Sequence, residues 1–116
     1  MATYNPFDLV VVPFPFTDRN SSKRRPALVL SNNAFWKDSG NVILAMITSA
    51  KRSSWRSDVS LKEWRNAGLP HASVVRPKIF TLDARFVLRK LGALAPPDRQ
   101  QVARSLSSVF GHALKQ

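Results

Sequence analysis

The groups in this chain that could do chemistry are arginines and hydroxyls. Arg25 ends the basic run Lys23-Arg24-Arg25, and Pro26 then opens an aliphatic stretch, Ala27-Leu28-Val29-Leu30-Ser31. An arginine at such a loop-to-strand junction has an anchored backbone while its head faces the loop. Its guanidinium stays charged at any relevant pH, and its planar fork matches the oxygens of a phosphate. Thr48 closes a second uncharged run, 41–48. A hydroxyl there can donate to a phosphoryl oxygen, and Ser49 beside it could substitute. Each position also has a plainer reading: a surface arginine paired with a carboxylate, and a β-branched strand residue whose hydroxyl satisfies nearby backbone.

Several other catalytic classes are excluded. The 116 residues contain no cysteine, which removes disulfides, thiolate catalysis and thiolate-bound zinc. His71 and His112 are the only imidazoles. His71 follows Pro70 in an expected loop, where proton transfer is one reading. His112 falls in the last turns of an expected helix, where a contact with the helix C-terminus is the duller one. Two isolated histidines without a carboxylate cluster make no metal site, so no metal and no other cofactor is expected. The four glycines build no phosphate-cradling loop.

Apolar runs and breakers outline the elements that must hold these groups. The run 9–16 is rich in branched and aromatic residues and reads as a strand. Pro13 and Pro15 lie two apart, so their missing N–H groups fall on one edge, which places that end at a sheet margin or barrel seam. Residues 17–23 are polar and read as a loop, 27–31 as a strand ended by Asn32-Asn33, and 41–48 as a strand across the middle of a sheet. A second loop, 49–57, precedes a short strand at 58–61. Residues 62–70 look like a turn of helix ending at Gly68. The strand 72–76 is broken by Pro77, and 79–82 and 86–88 are further short apolar pieces. From 97 to 114 the period becomes helical, with Val102, Leu106, Val109, Phe110 and Ala113 on one face and prolines at its start. The expected fold is mainly β with a C-terminal helix: a small β-barrel or half-barrel with the helix packed on it, one domain over 1–116.

Charge is concentrated. Eighteen Lys+Arg against seven Asp+Glu give +11, which favours a polyanionic partner. Residues 17–25, 51–65 and 76–90 carry fourteen of the eighteen cations, and 26–36 and 41–50 carry none. Charge is thus confined to loops and strand ends that can converge on one face, where it concentrates phosphate. Trp55 sits between Arg52 and Arg56, and Trp64 beside Arg65. Flat aromatics among cations suit single-stranded nucleic acid, whose bases can stack; core capping or a dimer contact is the alternative for either tryptophan. No apolar run approaches the ~18 residues of a membrane span, and residues 1–8 show no signal pattern, so a cytoplasmic location is expected.

The order of the motifs resembles a known family. Phe7-Asp8-Leu9-Val10-Val11-Val12, then Lys23-Arg24-Arg25-Pro26-Ala27-Leu28-Val29-Leu30-Ser31, resembles the start of the MazF/PemK/Kid toxins, and Arg-Pro before an aliphatic strand and Ser is the most recognisable part. The likeness continues through Ile43 to Ser49, Gly68-Leu69-Pro70, Ser73-Val74-Val75-Arg76, Thr81-Leu82-Asp83, Leu91-Gly92 and the closing helix, over about residues 7–111.

That resemblance implies an SH3-like, CcdB/PemK-like barrel, a homodimer, and metal-independent endoribonuclease action on single-stranded RNA. It also implies an antitoxin partner with an acidic tail, which would complement the charge excess. Arg25 and Thr48 match the family's catalytic Arg and its Thr or Ser, and Arg76 resembles an arginine used as acid or charge stabiliser. Arg19, Lys23, Arg24, Ser49, Lys51, Arg52, Trp55, Arg56 and Lys78 are the expected RNA-binding residues. Two departures matter. Lys78 stands where Kid-like members place an acid, and residues 19–25 lack the Glu of MazF-like members. Asp18 is the only acid of the loop and the candidate base, since arginine, with a pKa above ~12, is a poor proton acceptor. A non-catalytic RNA-binding relative is therefore the competing reading, with a gyrase inhibitor on the same barrel ranked lower.

Overall fold

The computed structural model describes residues 3–14 and 23–114. Pro15, Asp18 and Arg19 lie outside them. Among the described residues six strands form one antiparallel sheet: β1 (Asp8–Phe14), β2 (Lys23–Val29), β3 (Asn41–Ser49), β4 (Val59–Ser60), β5 (Ser73–Asp83) and β6 (Arg89–Ala93), in the order β4-β5-β3-β2-β1-β6. A short helix, α1 (Asn33–Ser39), joins β2 to β3, and α2 (Pro96–Phe110) closes the chain before a 3-10 turn, Gly111–Leu114. The expected half-barrel with one C-terminal helix is what the chain forms.

Strand side chains alternate between faces, and here both faces are covered. On one, Leu9, Leu28, Ala45, Ile47 and Val75 pack with Leu94, Val102 of α2, and Leu61, Ala67 and Leu69. On the other, Val10, Val12, Ala27, Val29, Val42, Leu44 and Leu82 pack with Tyr4 and, at the rim, Trp36 of α1. Trp64, one of the two tryptophans in basic surroundings, packs against the first cluster. No helix of the described residues is long and apolar enough to cross a membrane.

Local departures from the sequence expectation have identifiable causes. β2 starts at Lys23, not Ala27, because Lys23 to Pro26 pair with β1 alone, whereas β3 joins only from Ala27 onward. Pro26 is tolerated because its β3 side has no ladder partner. β5 runs through Pro77 unbroken. The β3–β5 register jumps from Ala45↔Ile79 to Met46↔Arg76, so Pro77 and Lys78 form a bulge that needs no N–H from the proline. The strand expected at 58–61 is only Val59–Ser60, and Phe86 ends a 3-10 turn before β6 instead of sitting in a strand. The helix expected to reach 114 leaves α geometry at Gly111. α1 was not expected; Asn32, read as a strand end, caps it by accepting from the Phe35 amide at 2.9 Å. Pro13 does lie at a margin. Val11 accepts from the Leu88 amide on the β6 side, and β6 ends there, so Pro13, two residues on, needs no donor on that side.

Two glycines fix how the 61–69 segment meets β6. A Cβ at Gly68, whose φ is +90°, would stand 2.6 Å from the Leu91 carbonyl oxygen, and one at Gly92 would stand 2.7 Å from that of Ala67. The backbones touch directly. Gly92→Ala is therefore expected to cost about 1–3 kcal/mol in a urea melt, as overpacking against unyielding backbone does.

Candidate nucleic-acid interface and active site

The face that carries Val10, Val12, Ala27 and Leu44 turns polar at one end. Along β1 and β3 the even positions face it, so Phe14, Met46 and Thr48 follow Val12 and Leu44; along β2 the odd positions do, so Arg25 follows Ala27. Ala27 is level with Met46, and Met46 with Arg76 on β5. Continued two residues past the end of β2–β3 pairing, the same register puts Arg25 level with Thr48. These residues, with Ile47, Arg52 and Lys78, line a groove of about 240 Å³. The bulge at Pro77 brings Lys78 to its wall.

Arg25 is half-buried, with its guanidinium 5.5 Å from the centre of the Phe14 ring. Among the described residues no carboxylate forms an ion pair with it. An aromatic face supports a cation without neutralising its charge, so Arg25 is held and remains available to an anion.

Arg76 is held differently. Its Nε donates to Asp58 Oδ1 at 3.0 Å and its Nη2 to Asp58 Oδ2 at 2.9 Å. Nη2 also reaches the Arg52 carbonyl and Ser54 Oγ, both at 3.2 Å. The guanidinium lies 4.9 Å from the Trp55 ring centre. Asp58 further accepts from Ser53 Oγ and from the amides of Ser54 and Trp55. Its side chain is only 2% exposed. One carboxylate thus organises the loop 50–58 and aims Arg76, while Trp55 stays 43% exposed above it.

The Arg76 hydrogen bonds hold the Asp58 carboxyl at about 2 against an ordinary 3.8, burial opposing them and the Trp55, Ser54 and Ser53 donors assisting. A lowered carboxylate pKa means that the folded state binds its proton less readily than the unfolded state. The resulting stability is complete above pH 3.8 and is lost as pH falls through about 2. Asp58→Asn should therefore flatten the acid limb of the stability profile between those values, as read by denaturant melts at successive pH.

The remaining expected contacts divide. Arg52 and Lys78 join Arg25, Thr48 and Arg76 in the groove. Lys23 is level with Phe14 on the Arg25 side of β2, and Arg24 alternates to the opposite side. Ser49 is used as a cap, accepting from the Lys51 amide at 3.3 Å, and with Lys51 and His71 it lines a separate cavity of about 260 Å³. Arg56 faces another groove, beside α2. Asp18 and Arg19 are outside the described residues. Sequence reasoning missed Phe14 and Met46, whose strand parity could have found them, and Asp58, whose partner is eighteen residues away. Among the described residues no three of His, Asp or Glu gather as a ligand set.

Comparisons add a family. The model for PemK-like, MazF-like toxins of type II toxin-antitoxin systems matches residues 5–110. A MazE-MazF complex structure from Deinococcus radiodurans shares 26% identity over 95% of this chain and 98% of that chain, with a TM-score of 0.76. MazF alone from the same organism gives 25% over 96% and 99%, with a TM-score of 0.73. An endoribonuclease in complex with its cognate antitoxin, from a mycobacterial species, gives 18% over 96% of both chains, with a TM-score of 0.74. No curated protein matches the chain in sequence.

Proposed function

Because the chain belongs to the PemK-like, MazF-like toxins of type II toxin-antitoxin systems, we propose that it is an endoribonuclease that cuts single-stranded RNA in the cytoplasm. The observation that carries this reading is a guanidinium with no carboxylate partner among the described residues, Arg25, beside Thr48 in a groove walled by Arg52, Arg76 and Lys78. RNA supplies its own nucleophile. The 2′-oxygen loses its proton and attacks the adjacent phosphorus, the bond from phosphorus to the 5′-oxygen breaks, and the leaving oxygen takes up a proton. The products are a 2′,3′-cyclic phosphate and a 5′-hydroxyl.

Each groove residue has a task in that step. Arg25 forks onto the non-bridging oxygens and offsets the charge that grows on them. Thr48 donates to a phosphoryl oxygen. Arg76, with Nε and Nη2 committed to Asp58 and the loop, offers Nη1 as a fixed donor. The RNA path along Arg52 and Lys78 neutralises flanking phosphates. None of the described residues lining the groove is a carboxylate or an imidazole, so Asp18 is the candidate for accepting the 2′ proton, and charge stabilisation carries most of the rate. That lack of a base among the described lining residues also favours the second reading, a relative that binds RNA without cutting it.

The MazE-MazF complexes from Deinococcus radiodurans support an antitoxin as partner, and the charge of +11 suits an acidic one. A homodimer is part of the same reading. The test is incubation of the pure protein with a long mixed-sequence RNA in the presence of chelator, followed by mapping of 5′ ends. Discrete cut sites are expected; RNA left intact while the protein binds it selects the second reading.

A further inference from the structure

Three residues that the Arg25 groove leaves unused, Ser49, Lys51 and His71, collect in a second cavity. The β3–β5 ladder ends on the pair Ser49↔Ser73, and the turn Ala50–Arg52 follows it. Thr48 and Arg52 line the Arg25 groove. Ser49, Ala50 and Lys51, which lie between them in sequence, line a cavity of about 260 Å³ together with His71 and Ala72. One turn of backbone is therefore a wall of both spaces. Lys51 and His71 are exposed, and none of the described residues lining the cavity is a carboxylate.

The walls decide which part of a nucleotide can enter. A phosphate needs converging N–H donors, and the local amides are committed. The Ala50 amide donates to the Ala72 carbonyl at 2.9 Å, and the Lys51 amide to Ser49 Oγ at 3.3 Å. Ser73 Oγ donates to the His71 carbonyl at 2.8 Å and fixes the backbone that carries the imidazole. The side chains that remain are two alanine methyls, a flat imidazole, a hydroxyl and one ammonium. Unpaired bases stack on histidine as they do on larger aromatic rings. Alanine walls leave space for a flat ring, the Ser49 hydroxyl can meet a base edge, and Lys51 can pair with the phosphate of the same nucleotide. The volume lies just below the ~300 Å³ at which sites for drug-sized ligands begin, which is room for one base and not for two.

We propose that the cavity between the 49–51 turn and His71 is a nucleobase seat, which takes one unpaired base of the RNA strand that runs through the Arg25 groove. The strand rounds the end of β3: one nucleotide lies on Thr48 and Arg52, and the base of a flanking nucleotide turns in against His71 and Ala72 while Lys51 meets its phosphate. The proposal rests on the RNA-cutting or RNA-binding reading above and adds a contact that needs a base, where the groove itself needs only a phosphate. Double-stranded RNA, whose bases are paired, cannot use the seat.

The test titrates two uncleavable 2′-O-methyl oligonucleotides of equal length, one of mixed sequence and one wholly abasic, at low salt, where phosphate contacts alone can hold a strand. Wild type is compared with His71→Ala, which removes the stacking ring, and with Ala72→Leu, which fills the seat. Each variant should bind the base-bearing strand about tenfold more weakly than wild type, the loss of one stacked base, and the abasic strand as wild type does. Equal weakening on both strands would mean that the cavity meets the phosphate and not the base, and would overturn the seat. Variants that bind the base-bearing strand like wild type would overturn it as well, with RNA recognition left intact. Failure of wild type to bind the base-bearing strand would overturn the underlying reading and the seat with it. Sedimentation of the three proteins guards the comparison: if a variant changes the oligomeric state and weakens binding to both strands, the cavity is a contact between copies and the proposal fails.

Discussion

Arg25→Ala should lower the rate of RNA cleavage by about 10²–10³-fold, the loss seen when one preorganised donor is taken from a developing oxyanion. The effect should fall on the rate at saturating RNA more than on affinity, since Arg52, Arg76 and Lys78 remain to hold the chain. Arg25→Lys should recover only part of it. A lysine restores the charge but not the planar fork, and it stacks less well on the Phe14 ring that positions Arg25. The fold should survive, because the side chain makes no ion pair with a described carboxylate and its removal relieves a little of the self-repulsion at +11. Single-turnover cleavage and a thermal melt, run on the same preparations, check both halves.

Asp58→Ala should be the most damaging change outside the groove lining. It removes the acceptor of two Arg76 donors, the amides of Ser54 and Trp55 and the Ser53 hydroxyl at once. A loop that holds its shape through one carboxylate has no second acceptor to fall back on, and Arg76 is left as an uncompensated cation beneath Trp55. The melting temperature should fall by about 10 °C, and cleavage should fall at least as far as in Arg76→Ala. Removing Arg76 together with Asp58 should cost less than the sum of the single changes, because each single change strands the other partner. Thermal melts of the two single variants and the double variant measure that coupling. Additive losses would mean that Asp58 acts through its loop amides alone.

How the sequence disclosed this site follows from the distance over which each feature is decided. Arg25 and Thr48 could be read because both sit where an uncharged run meets a polar one, and a strand end fixes its last side chains by alternation alone. The same alternation would have supplied Phe14 and Met46. The half-barrel and its helix were legible from the change of period after residue 96. Asp58 was not, because it looked like the first residue of a strand; its function is set by a partner on β5 that only the β3–β5 register and the Pro77 bulge bring near. Ser49 lines a different cavity from Thr48, and its hydroxyl accepts from the Lys51 amide at the turn that leaves β3. α1 escaped because none of its seven residues is fully buried and Trp36 alone packs at the rim of the core, which leaves no apolar period to read.

Arg52 and Arg56 show how a loop can divide its charge between two grooves. In the sequence, 51–65 reads as one basic stretch. In the fold, the Asp58 hub turns Arg52 towards the Arg25 groove and leaves Arg56 towards α2. A charge cluster on a chain is thus not yet a charge cluster in space, and the residue that decides its division is the buried acid within it, Asp58.

The most direct measurement concerns the 2′-hydroxyl itself. Once a cut site has been mapped, an RNA carrying a single 2′-deoxy substitution at the nucleotide 5′ to the cleaved bond can be compared with its all-ribose parent. Cutting at that bond should disappear while binding to the protein is unchanged, because the groove supplies charge and donors and the substrate supplies the nucleophile. Continued cutting at the substituted bond would show that another oxygen attacks, and would contradict the roles given to Arg25, Thr48 and Arg76.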